Sequence, residues 1–133
     1  MQQMKILIAD ADIESRQQLT EIISRARPDI RLRFAETGRQ LFKLLQEETF
    51  DMLFLDMVLP YTDVAKLKEV IALMHAQNGT RLVLVSESLR KNWTMIALHL
   101  QAYEVLMKPY RDHAVTQLLE TYQQIRRTRQ ALI

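Results

Sequence analysis

The stretch DMLFLDMVLP, residues 51 to 60, limits what this chain can fold into more than any other. Four apolar residues, Met52 to Leu55, stand between two aspartates, and a proline closes the run. A short, unbroken apolar run reads as a strand covered on both faces, the habit of a parallel sheet with helices on either side. Pro60 has no N–H to give to a ladder, so the chain must leave the sheet by that point. Asp56 therefore falls at the carboxyl end of a central strand, where open α/β sheets gather their ligands. A carboxylate is costly to bury there unless a cation meets it.

The rest of the chain supplies matching elements. KILIA, residues 5 to 9, is another apolar run, followed by Asp10, Ala11 and Asp12. From Ile13 the apolar positions Leu19, Ile22, Ile23 and Ala26 recur at helical spacing, and Pro28 stops them. Ile30, Leu32 and Phe34 alternate with Arg31 and Arg33, which suits an edge strand half open to water. After Thr37 and Gly38, a second helix carries Leu41, Phe42, Leu44 and Leu45. A third spans about Val64 to Ala76, with Val64, Leu67, Val70, Ile71 and Met74 inward and Asn78-Gly79 as its stop. RLVLVSES is a buried strand ending near Ser86, a fourth helix covers roughly Arg90 to Leu100, and EVLM at 104 to 107 is a short strand closed by Lys108-Pro109. A last helix runs from near Arg111 almost to Ile133.

Strands alternating with helices predict an α/β fold: a flavodoxin-like, doubly wound parallel sheet of five strands in the order 2-1-3-4-5, with five helices. At 133 residues this is one domain. Residues 1 to 125 are expected to form its body and 126 to 133 an extension of the last helix. A net charge of +2 gives no reason to make nucleic acid or membrane the default partner. With no cysteine, disulfides and thiolate metal sites are excluded. The absence of a long apolar run and of a signal peptide's apolar region predicts a cytoplasmic protein.

That topology brings Asp10 and Asp12, Asp56, Ser86 and Lys108 to one rim. Clustered carboxylates raise one another's pKa unless a cation joins them, and an all-oxygen site suits a hard ion such as Mg²⁺. Serine and lysine can hold phosphoryl oxygens, so the chemistry that uses the whole set is phosphoryl transfer to the Asp56 carboxylate.

With these residues in place, the chain resembles a response-regulator receiver domain over residues 4 to about 125. KILIADAD resembles the family's first strand and acidic pair, DMLFLDMVLP its phospho-acceptor strand, LVLVS its switch serine, and QAYEVLMKPY its Lys-Pro strand. The resemblance implies that Asp56 accepts phosphate from a histidine kinase or phosphotransfer protein, with Lys108 and Ser86 on the phosphoryl group. It implies Mg²⁺ held by Asp10, Asp56 and the Val58 carbonyl. Signalling would pass through the face of the fourth helix, fifth strand and last helix. Such a domain catalyses at most its own phosphorylation and dephosphorylation, and would meet nucleic acid only through a separate output domain.

Three positions depart from the pattern. Ala11 stands where the family has its second acid, and Asp12 reads equally as a metal ligand and as the cap of the first helix. Val105 replaces the switch aromatic, and Val64 a common glycine. Ala11 and Val105 give the competing expectation of a phosphorylation-independent interaction module. His75, His99 and His113 share no spacing and read as surface residues; Trp93 reads as packing, and Tyr103 as packing or partner face. Val115, Leu118, Tyr122, Ile125 and Leu132 in the last helix alternate at spacings that would allow a homodimer seam or a linker, interrupted by Arg129. Arg126, Arg127 and Arg129 also suit the negative end of that helix.

Overall fold

Five parallel strands form one sheet in the order β2-β1-β3-β4-β5 in a computed structural model that describes residues 3–87 and 102–131. They are β1 (Lys5–Ala9), β2 (Arg31–Ala35), β3 (Met52–Asp56), β4 (Arg81–Ser86) and β5 (Glu104–Met107). Three helices, α1 (Ile13–Ala26), α2 (Gly38–Glu47) and α3 (Val64–Asn78), alternate with them, and a last helix covers Asp112–Ala131. The expected strand order holds. The described residues carry four helices, not five; the helix expected over 90 to 100, with Trp93 and His99, lies outside the described residues.

Side chains alternate across the central strands, and both faces are covered. Ile6, Ile8, Met52, Phe54, Val83 and Val85 meet Leu19, Ile22 and Ile23 of α1 and Val115, Leu118, Leu119 and Tyr122 of the last helix. Leu7, Leu53, Leu55, Leu82 and Leu84 point the other way, against Leu41, Leu44 and Leu45 of α2 and Leu67 and Ile71 of α3. Every residue of β3 is buried, as its continuous apolar run requires. Filling both faces holds the register of the pairs Ile8↔Phe34, Ile8↔Phe54 and Asp56↔Val85, and hence the height of each strand end.

Several inward expectations fail at element ends. Ile13 and Val64 open their helices on the solvent side, each 57% exposed, and Ala26 is exposed at the end of α1. Phe34 shares a strand face with Leu32 but lies at the open edge and is 44% exposed. In each case period alone placed the residue, while the covering layer does not reach that far. The last helix uses Val115, Leu118 and Tyr122 on its own core, so these residues of the suggested seam are buried within the domain. Tyr122 Oη donates to Asp51 Oδ1 at 3.2 Å, and Asp51 Oδ2 accepts the Lys5 N–H at 2.8 Å, which ties this helix to the amino ends of β1 and β3. His75 and His113 are exposed, as expected.

Candidate functional site

The carboxyl ends of β1, β3, β4 and β5 deliver Asp10, Asp56, Ser86 and Lys108 to one lip of the sheet. Asp10 and Asp56 are 2% and 8% exposed. One ammonium joins them: Lys108 Nζ lies 2.7 Å from Asp10 Oδ2 and 2.5 Å from Asp56 Oδ2. The second oxygen of each carboxylate accepts a main-chain N–H, Asp12 onto Asp10 Oδ1 at 2.9 Å and Val58 onto Asp56 Oδ1 at 2.8 Å. Lys108 is itself fixed by the last ladder bond of β5, its N–H donating to the Ser86 carbonyl at 2.8 Å. Ser86, one residue past the Val85 partner of Asp56 in the neighbouring strand, is buried as well. The predicted partner of Asp56 is thus present and in contact.

These contacts set the charges. Burial alone would push the Asp10 carboxyl up, but the Lys108 ammonium, the Asp12 N–H and the Ser15 hydroxyl outweigh it and hold Asp10 below its ordinary value. For Asp56 burial wins, helped by the Asp10 charge against the pull of Lys108 and the Val58 N–H, so it ionises less readily than a free aspartate. Burial would lower the lysine, yet its two carboxylate partners overcome that and carry it to about 12. The result is one firm anion, one reluctant anion and one firm cation at a single lip.

The surrounding loops are shaped by few residues. Asp12 caps α1, its carboxylate accepting the Glu14 N–H at 3.0 Å, and is exposed. Of its two expected uses, the structure shows the cap. The loop after β3 turns at once, with Leu59 N–H on the Asp56 carbonyl at 3.2 Å and Tyr61 at φ 58°. Gly38, opening α2, donates its N–H to the Pro60 carbonyl at 2.8 Å; a Cβ there would run into the Tyr61 carbonyl. Arg39 sits 5.7 Å from the Tyr61 ring centre. Val58, two residues past Asp56, is 74% exposed. Val105 packs among the residues between the sheet and α2 and α3, while Tyr103 sits at the far end of β5, with its N–H on the Leu82 carbonyl and its ring under Arg81. Tyr103 therefore cannot take the place of the missing aromatic.

Two contributors escaped the sequence reading. Ser15 is buried beside Asp10, and Gln18 bonds the main chain of Tyr110 just past Lys108-Pro109. Both are polar: Ser15 lies on the buried stripe of α1 with Leu19 and Ile22, and half-buried Gln18 borders it. A polar residue on a core stripe is the signal that would have found them.

A hard divalent cation needs oxygen ligands, and this lip supplies carboxylates. Asp10 Oδ2 is buried and, although close to the ammonium, has no well-aligned hydrogen-bond donor. Asp56 offers a second carboxylate beside it. Two carboxylates fit Mg²⁺, which commonly takes one or two and completes its shell with water and phosphoryl oxygen. Ala11 adds no third, and the described residues contain no cluster of three or more acids or histidines able to hold a metal.

The model of the response regulator receiver domain matches residues 6–120, and the chain belongs to that family. Solved structures agree on the fold. The receiver domain of an HD domain-containing protein from Pseudomonas fluorescens is 21% identical with a TM-score of 0.80, the match covering 100% of this chain and 96% of that one. A CheY-like receiver domain protein from Methanospirillum hungatei is 18% identical with a TM-score of 0.79, covering 96% and 99%. A two-component response regulator from Clostridium difficile is 18% identical with a TM-score of 0.76, covering 92% and 97%. No helix among the described residues is long and apolar enough to cross a membrane.

Proposed function

We propose that this domain receives a phosphoryl group on Asp56 from a phosphohistidine of a histidine kinase or phosphotransfer protein. The observation that carries the reading is the Lys108 ammonium held against both Asp56 and Asp10. An Asp56 oxygen attacks phosphorus, the P–N bond to the donor histidine breaks, and the electron pair stays on the imidazole. The ammonium would stabilise charge on the transferring oxygens, and the Ser86 hydroxyl would bond one of them. Asp10, Asp56 and the Val58 carbonyl would hold Mg²⁺, which when bound would neutralise further charge at the phosphoryl group. The Val58 N–H already orients Asp56 and needs no movement to do so.

In this reading the domain is a cytoplasmic signalling module that does no chemistry beyond its own phosphorylation and dephosphorylation. Its output passes through the face that carries β5 and the last helix. A homodimer through the suggested seam would rely on its positions from Ile125 onward, since Val115, Leu118 and Tyr122 are committed to the core. Nucleic acid would be met only through an attached output domain.

Ala11 and Val105 favour a second reading, a receiver whose partners bind without phosphorylation. The two separate in one experiment. Acetyl phosphate with Mg²⁺ should label the domain, and Asp56→Asn should abolish labelling. A partner that binds the wild type and Asp56→Asn equally well would select the second reading.

A further inference from the structure

We infer that Gln18, on α1, is the positioning residue that holds Lys108 over the two carboxylates. It does so by clamping the main chain two residues farther on. This deepens the phosphoryl-acceptor reading and, for its kinetic consequence, rests on it.

Gln18 Nε2 donates to the Tyr110 carbonyl at 3.4 Å, and Gln18 Oε1 accepts the Tyr110 N–H at 3.3 Å. One primary amide thus satisfies both main-chain groups of a residue only 6% exposed. The need is physical. β5 ends at Met107, and its final ladder bond is Lys108 N–H to Ser86. Pro109 has no N–H to contribute, and the last helix does not begin until Asp112. Between these points the chain turns away from the sheet while Lys108 must reach across two strands. A lysine side chain has four flexible bonds, so an ammonium stays at one point only if its main chain is held on both sides. Ser86 holds the near side; Gln18 holds the far side.

The Tyr110 ring strengthens the anchor. It is buried with Val115 and Leu119, beside α1 residues, so the clamp and the core grip the same residue. Glutamine suits the task because its amide offers a donor and an acceptor side by side, which leucine of similar size cannot.

The test is a double-mutant cycle in the phosphorylation rate from acetyl phosphate with Mg²⁺, using wild type, Gln18→Leu, Lys108→Ala and the double variant. Displacing a reacting group by ~1 Å costs on the order of 10²-fold. Gln18→Leu should therefore slow labelling by at least about tenfold in the wild-type background and change nothing further in Lys108→Ala. An equal slowing in both backgrounds, or none in wild type, overturns the inference. A crystal structure of Gln18→Leu judges it without any phosphoryl chemistry. Lys108 Nζ should lie farther than 2.5 Å from Asp56, and an unchanged contact overturns the inference. If the wild type takes no label while that contact lengthens, the acceptor reading fails and the clamp stands.

Discussion

Asp10 and Asp56 face the same Lys108 ammonium, yet their surroundings pull them in opposite directions. Asp10 is held ionised, whereas burial leaves Asp56 harder to ionise than a free aspartate. A lowered carboxyl pKa stabilises the fold above its unfolded value; a raised one opposes folding once the group is charged. Conservative substitutions at the two positions should therefore act with opposite sign. With a chelator present at neutral pH, Asp56→Asn should raise the thermal midpoint. Asp10→Asn should lower it, losing about 1–3 kcal/mol of charge-assisted bonding. Calorimetry of the two variants decides; midpoints moving the same way would contradict this charge assignment.

Alkali should loosen the fold. Tyr110 and Tyr122 are pushed up to about 12, both chiefly by burial, with the Asp51 charge adding at Tyr122. An unfolded tyrosine ionises near 10, so stability falls as pH rises from 10 toward 12, each ring costing about 2–3 kcal/mol at ~1.4 kcal/mol per pKa unit. Lys108 acts in the same direction: its contribution is complete below 10.5 and is lost as pH rises through about 12. Urea midpoints across this window should drop steeply. Tyr122→Phe should be weaker by about 1 kcal/mol at pH 8, for its lost bond to Asp51, yet fall less steeply above pH 10.

Gly38 is predicted to tolerate no side chain. Its Cβ position is filled by the Tyr61 carbonyl, and main chain cannot swing aside as a flexible side chain would. Gly38→Ala should cost about 1–3 kcal/mol through overpacking. Because the shift is forced on the loop that follows Asp56, labelling should slow as well. Denaturant midpoint and labelling rate measure the two effects separately.

If Asp56 accepts phosphate as proposed, Val58 bears on how long the phosphoryl group lasts. Its exposed, apolar side chain stands two residues past the acceptor and cannot orient an attacking water. Val58→Asn should hasten loss of label, measured as decay after acetyl phosphate is removed. An unchanged decay would mean that water is positioned by other groups.

The central strands were legible because burial on both faces leaves a continuous apolar run, as in Met52 to Leu55. From strand order, the convergence of Asp10, Asp56, Ser86 and Lys108 followed by topology alone. Element ends and the open edge of the sheet were less legible. Ile13, Val64 and Phe34 match the period but sit where no layer covers them, and only tertiary packing decides that. Asp12 could not be resolved because an aspartate before a helix serves a cap or a metal with the same local sequence; its bond to the Glu14 N–H shows the cap. The place of Gln18 beside the core stripe of α1 could be read, but its partners, main-chain atoms 92 residues away, are named by no local pattern.

The measurement that bears most directly on the account is intact-protein mass spectrometry after incubation with acetyl phosphate and Mg²⁺. Wild type should gain the mass of one phosphoryl group, and Asp56→Asn should gain none. A wild type that stays unlabelled, or an Asp56→Asn variant labelled to the same extent, would contradict Asp56 as the acceptor.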